Sequence, residues 1–222
     1  MWRDAALVAG KDLRIEARSR VATNQIAPFA VIVLVLFGFA LEPDRLFLTQ
    51  AAPGLFWVAV LFSLLLAVQR SFAVEAADAA GDGLRMSGLD PAGIFLGKAA
   101  AVAVELVAVE ALLAVGIVVL YGTSLTGGAL LLATAVAATL GLAACGTVYG
   151  VLAAGLRVRE TLLPLLIFPV VAPVLIGATR AWEVALGQSL DDGWKWVSLL
   201  AVFAVVYVTL GVLAFETLLE EA

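Results

Sequence analysis

Long apolar runs alternate with short polar stretches along the whole chain. After a charged N-terminal segment, the apolar runs cover residues 26–41, 53–69, 94–120, 129–154, 161–179 and 196–215. A helix that crosses the hydrocarbon core of a bilayer needs about 20 mainly apolar residues. The pattern therefore predicts an all-α integral membrane protein with six transmembrane helices.

The composition agrees with this prediction and excludes several chemistries. Of the 222 residues, 64% are hydrophobic, whereas a soluble domain is about half apolar. There is one cysteine and no histidine, which excludes an intrachain disulfide and any catalysis or metal or haem ligation by histidine within this chain. We expect no catalytic, metal-binding or cofactor-binding residues here.

The basic residues predict an orientation. With six spans, the side with both termini carries ten of the 13 Lys and Arg residues, and the other side carries Arg45, Arg180 and Lys195. Cytoplasmic loops of membrane proteins carry an excess of Lys and Arg. Both termini are therefore predicted to be cytoplasmic, together with the loop over residues 70–93.

Residues 1–25 have the pattern of an amphipathic helix. On a helical projection, Trp2, Ala6, Ala9 and Leu13 fall on one face, and Arg3, Lys11, Arg14 and Arg18 fall on the opposite face. Asp12, Glu16 and Arg20 interrupt the pattern. It predicts a helix in the membrane interface with its basic face toward anionic headgroups; an ordinary charged tail is the alternative.

We treat residues 1–222 as one membrane domain, with the six transmembrane helices over residues 26–222, and expect the first apolar run to stay in the membrane uncleaved.

The loop over residues 70–93 is charged and rich in glycine. Its candidate partner-binding residues are Glu75, Asp78, Asp82 and Arg85. Its carboxylates match no recognised spacing for Ca²⁺ or Mg²⁺. Since long loops in compact bundles are often functional, one interpretation is a short helix that docks onto a partner protein, and the other is a solvated connector.

The sequence GIFLGKAA resembles part of a phosphate-binding loop. Such a loop has four residues between its glycines and a Ser or Thr after the lysine. Here three residues separate Gly93 from Gly97, and Ala99 follows Lys98, so nucleotide binding is rejected. We predict instead that the glycines allow close helix packing and that Lys98 extends to the lipid headgroups.

Two carboxylic acids, Glu105 and Glu110, lie inside the third apolar run. Five residues of α-helix turn by about 500°, so the two side chains cannot share one face. Ionisable residues within a membrane are costly and often functional. Each glutamate must be protonated, face water, or bond to a hydroxyl such as that of Thr134, Thr139 or Thr147. A role in translocation and a structural hydrogen bond between helices are both open.

The fourth and fifth runs contain packing and bending signals. Gly146 and Gly150 form a G-x-x-x-G spacing, which permits close helix contact. Pro164, Pro169 and Pro173 lie within ten residues, and each removes a backbone donor. We expect this fifth helix to be kinked or broken, either as a hinge or as a static bend.

Several motifs, in their order along the chain, resemble one family. They are KDLRIEARSR (Lys11–Arg20), RSF followed by Glu75, IFLGK (Ile94–Lys98), RETLLPLLIFP (Arg159–Pro169) and FETLLEE (Phe215–Glu221). Together they resemble the CcmB-type permease, the ABC-2-type membrane subunit of the haem exporter that serves cytochrome c maturation. The resemblance implies an ABC-2-type permease fold, in which Glu75 and the residues after it form a coupling helix for the ATPase.

The resemblance also implies partners. They are a separate CcmA-like ABC ATPase that binds ATP, a CcmC-like haem-handling membrane protein that supplies any haem ligands, and a second copy of this chain, all in the bacterial inner membrane; no nucleic acid and no enzymatic activity of this chain are implied. The sequence departs from the family pattern at Ala77, Ala79, Arg85 and Gly88. The alternatives are a generic ABC-2 exporter of lipid, drug or polysaccharide, and a non-transporting membrane scaffold of an assembly complex.

Overall fold

The computed structural model describes residues 1–19, 22–41, 45–77, 88–154 and 159–221, and every regular element in these ranges is a helix. The α-helices are α1 (Trp2–Ser19), α2 (Ala27–Ala40), α3 (Arg45–Ala77), α4 (Pro91–Tyr121), α5 (Gly128–Ala154), α6 (Arg159–Ala185) and α7 (Gly193–Glu221), and a π-helical segment (Ala22–Ile26) precedes α2. The predicted all-α class is confirmed.

The long helices run alternately up and down in one bundle. At one end, the rings of Phe95 in α4 and Phe215 near the end of α7 lie with their centroids 5.4 Å apart. At the other end, the hydroxyl of Thr126 donates to the carbonyl of Ala185 at 3.1 Å. Because α1 lies at the first of these ends, we call it the α1 end. Helix α4 occupies the centre, since it packs against α1, α2, α3, α5 and α7.

Five helices in the described ranges, α3 to α7, are long and apolar enough to span a membrane. Helix α2 has 14 residues and is about 21 Å long, short of the hydrocarbon thickness of about 30 Å. It meets the same criterion only together with α1, as a pair bent by 56°. The predicted six spans are therefore reached when this bent pair counts as one.

The outer surface of the bundle is apolar. Val119, Leu132 and Leu213 are 73%, 67% and 76% exposed. An outer surface with so many large apolar side chains fits a hydrocarbon surrounding. The protein is therefore a multi-pass membrane protein by surface as well as by helix length.

The predicted close contact at Gly146 and Gly150 is confirmed. A Cβ atom on Gly146 would lie 2.8 Å from a methyl group of Val68, and a Cβ atom on Gly150 would overlap the ring of Phe72. Only glycine leaves room for these α3 side chains against α5.

Helix α6 continues through all three prolines, from Arg159 to Ala185. Of the two expected forms, kinked or broken, the helix is not broken; a kink at the prolines, as a hinge or as a static bend, stays a prediction. Pro169 and Pro173 lie on the exposed side of the helix. Since each proline leaves the carbonyl group four residues earlier without its helical donor, the carbonyl groups of Leu165 and Pro169 need partners from elsewhere.

In helix α3, Pro53 also leaves a carbonyl group without its helical donor, and here a side chain supplies the donor. Pro53 lies inside α3, so the carbonyl group of Thr49 has no helical donor. The side-chain amide of Gln188, in the turn after α6, donates to this carbonyl at 2.8 Å. The hydroxyl of Thr49 in turn donates to the carbonyl of Tyr121 at 3.4 Å. Thr49 thus joins α3 to both α4 and the turn after α6.

Replacing Gln188 with alanine is expected to lower the free energy of unfolding by about 1 kcal/mol, because the Thr49 carbonyl loses its donor. The measurement is the thermal midpoint of the purified protein in detergent, which should fall by about 2–4 °C. Gln50→Ala, at an exposed position of α3, is the control and should leave the midpoint unchanged. Equal shifts in both variants would contradict this account of Thr49.

Candidate functional site

At the α1 end, α1 lies beside the first half of α4 and runs in the same direction. The amino group of Met1 is 3.3 Å from the carboxylate of Asp90, which caps α4 by accepting from the N–H of Ala92 at 3.0 Å. Further along both helices, Asp4 lies against Gly93, and Val8 lies against Gly97. From one contact to the next, both helices advance by three and then by four residues, as expected of a parallel helix pair.

Glycine allows this close approach. A Cβ atom on Gly93 would lie 2.8 Å from the carbonyl oxygen of Met1, and a Cβ atom on Gly97 would lie 2.7 Å from the carbonyl oxygen of Ala5. Backbone atoms of a packed helix cannot move aside as a flexible side chain can. The prediction that Gly93 and Gly97 serve close helix packing is confirmed.

Lys98 does not extend to the lipid headgroups, so that prediction is wrong. Its side chain is 2% exposed, and its Nζ lies 3.6 Å from Oδ2 of Asp12 in α1. The same Nζ lies 4.8 Å from the centre of the Phe72 ring in α3, a distance at which a cation and an aromatic face attract. The physical reason for the error is that α1 covers the surface of α4 through which the side chain would otherwise leave.

Besides the apolar and basic faces of the sequence projection, helix α1 has a third face, which packs on α4. Asp4, Val8, Asp12 and Glu16 turn toward α4, and Asp12 and Glu16 are close enough to Glu105 to interact with it electrostatically. Arg3, Arg14 and Arg18 are exposed on another side. The acids that interrupted the amphipathic pattern of the sequence therefore belong to the packed face. The interfacial placement of residues 1–25 stays a prediction.

Glu110 makes the hydrogen bond that the sequence allowed for. It is buried at 6% exposure, and the hydroxyl of Thr139 in α5 donates to its Oε1 at 2.6 Å. The other two candidate hydroxyls, those of Thr134 and Thr147, donate instead to carbonyl groups of their own helix. Glu105 is only partly buried and lies toward α1, so the two glutamates do not form one site.

Most of the predicted coupling residues lie outside the described part of the chain. Asp78, Asp82 and Arg85 fall in the gap between residues 77 and 88, and of Glu75 only the backbone, in the last turn of α3, is described. The two ends of this segment are nevertheless placed, since α3 leads into it and α4 begins just after it.

The described residues contain no group of three or more Cys, Asp or Glu that could hold a metal ion. Sequence reasoning missed the pairing of Lys98 with Asp12. The available signal was the i, i+4 spacing of the acids on α1, together with a lysine that lies one and five residues after two glycines.

Comparison with known proteins decides the family. A protein-family model described as CcmB protein matches residues 4–221. The chain belongs to the CcmB family. A search of the curated proteins returned no match.

Membership in the CcmB family gives the coarse function. The chain is a membrane permease component of the ABC system that exports haem for cytochrome c maturation. The helical bundle with its apolar outer surface agrees with that role. As a permease subunit, it associates with the other components of such a system.

Proposed function

We propose that this CcmB chain converts ATP hydrolysis by a separate CcmA-like ATPase into movement of its own helices. The observation that carries the proposal is the packing at the α1 end. The end of α3 and the start of α4 flank the predicted coupling segment, and Lys98 and Phe72 place them in direct contact with each other and with α1. A force on the segment would therefore reach three helices at once.

The helix lengths favour a docking surface outside the bilayer. Helices α3 and α4 have 33 and 31 residues, so they are about 50 and 46 Å long against a hydrocarbon core of about 30 Å. Both helices meet at the α1 end, where a soluble ATPase could reach the segment between them. The excess of Lys and Arg on this side supports a cytoplasmic location for it, in a protein of the bacterial inner membrane.

The chain would not bind haem by itself. Haem iron is generally held by His, Cys, Met or Tyr. The sequence has no histidine, and its one cysteine, Cys145, is fully buried in α5. Tyr121 is buried and donates to the carbonyl group of Leu34, and Met86 lies outside the described residues. The ligands would come from a CcmC-like partner, and ATP would bind to the ATPase. This chain would contribute the moving membrane part.

The outward face of α6 supports a homodimer. The carbonyl groups of Leu165 and Pro169 lack helical donors because of Pro169 and Pro173, which are exposed. Lipid cannot satisfy a free carbonyl group, so such backbone is tolerated only against protein or water. A second copy packed on this face, or a wet passage between two copies, would supply the missing donors.

Reversing two charges in the coupling segment tests the proposal. Glu75→Lys with Asp82→Lys is expected to reduce co-purification of the ATPase from native membranes about tenfold. The reason is that like charges would replace opposite charges at the interface. Asp191→Lys with Asp192→Lys, at the opposite end of the bundle, makes the same change in net charge and should leave co-purification unchanged.

Three outcomes would redirect the proposal. If the charge reversal in the segment leaves ATPase binding intact, the segment is not the docking surface. An ATPase without any haem protein in the wild-type preparation would favour a generic ABC-2 exporter. If inactivating the ATPase without dissociating the complex preserves cytochrome c maturation, the chain is a scaffold instead.

A further inference from the structure

We propose that Lys98 is a positioning residue that fastens α1 and the end of α3 to α4, so that these three helices move as one body. The inference deepens the proposed function and rests on it for the source of the movement. The fastening itself is a property of the chain alone and can be measured without the ATPase.

Three helices meet around the ammonium group of Lys98. Asp12 of α1 approaches it to 3.6 Å, which is an ion pair rather than a hydrogen bond. Phe72 of α3 presents its ring at 4.8 Å. The Phe72 ring also fills the space left by Gly150 of α5. A change in the position of any one of these side chains therefore disturbs contacts of the others.

The charge of Lys98 matters because of where it lies. A lysine 2% exposed, paired with an aspartate 13% exposed, is held in a region with little water. Asp12 also pairs with Lys11 of its own helix, at 3.1 Å, so removing Lys98 leaves Asp12 with one cation instead of two. Replacing both Lys98 and Asp12 with uncharged groups removes this imbalance and is often tolerated. A lysine that served only to fill space would not show this difference.

The position of the pair explains what it would transmit. Phe72 lies five residues before Ala77, the last described residue of α3, and Asp90 and Met1 are in contact at the start of α4. Movement of the segment between α3 and α4 thus reaches Lys98 within two turns from either side. Through the pair of Lys98 with Asp12, this movement would also shift α1, without any direct contact between α1 and the segment.

Hydrogen exchange of the full-length protein tests the fastening. Lys98→Met is expected to raise the exchange rate of the α1 amides about tenfold through local opening, with no change in α6 or α7. The double variant Lys98→Met with Asp12→Asn should restore slow exchange. Arg180→Met is the matched control, because it breaks an exposed ion pair with Glu183 at the opposite end and should leave α1 unaffected.

The same experiment on the complex with the ATPase tests the joint movement. In the wild type, nucleotide should change exchange in α1 and at the end of α3 together; in Lys98→Met, only the end of α3 should respond. The proposal is overturned if Lys98→Met leaves α1 exchange at the wild-type rate, or if the double variant exchanges as fast as the single one. If the wild type binds no ATPase, the proposed function is wrong instead. The exchange rate of the α1 amides would still decide the role of Lys98.

Discussion

Replacing Gly97 with leucine is expected to displace α1 from α4 and lower the free energy of unfolding by about 3 kcal/mol, the upper end of the usual cost of overpacking. Even the first added carbon would lie 2.6 Å from Cβ of Val8 and 2.7 Å from the carbonyl oxygen of Ala5. The α1 backbone would have to move, and Val8, now 3% exposed, would lose its burial. The thermal midpoint in detergent should fall by roughly 6–12 °C.

Gly10→Leu is the matched control for this variant. Gly10 lies in the same pair of helices, but a Cβ atom there would have nothing within 4 Å. Because glycine is a poor helix former, leucine at this position should raise stability by about 0.5–1 kcal/mol. Opposite shifts of the two midpoints are the expected result. If both variants are stabilised, α1 is not seated on α4 in the membrane protein.

Replacing Thr139 with valine is expected to cost about 2 kcal/mol, because the buried carboxyl group of Glu110 loses the hydroxyl that donates to it. Thr134→Val is the control, since that hydroxyl donates only to the carbonyl of Leu130 in its own helix and its loss should cost much less. The thermal midpoints of both variants measure the difference.

Glu110→Gln separates the two roles that the sequence left open. The glutamine side chain keeps an oxygen that can accept from Thr139, so a structural hydrogen bond predicts near-normal stability and near-normal cytochrome c maturation. Loss of maturation at unchanged stability would show instead that the carboxyl group takes part in translocation. The hydrogen bond of 2.6 Å between two helices is the reason to expect the structural outcome.

The sequence predicted helices α3 to α7 well because each of these runs is long enough to meet the thickness of a bilayer by itself. The first run, α2, meets it only together with α1. The sequence also narrowed the partner of Glu110 to three threonines, but only the relative rotation of α4 and α5 could select Thr139. The proline pattern left a kinked and a broken helix open, and α6 remains one continuous helix. Hydropathy describes one helix at a time, and it says little about how two helices are rotated against each other.

Lys98 shows the same limit more clearly. A lysine near the end of a spanning helix normally extends toward water, and nothing in its neighbouring sequence contradicts that. What changes its surroundings is a helix more than 80 positions earlier in the chain, whose acidic face meets it. The signal was present as Asp12 and Glu16 on the N-terminal segment, but the amphipathic projection treated those acids as exceptions.

The parallel pairing of α1 with α4 also sets an order of events during synthesis. Met1 cannot meet Asp90 until the ribosome has added the residues between them. At elongation rates of about 5–20 residues per second, that interval lasts several seconds or longer. Throughout it, α1 has no α4 to pack against, and Asp12 has Lys11 of its own helix but not yet Lys98 as a partner. Helix α1 is therefore made before α4 but can reach its packed position only after α4 has been made.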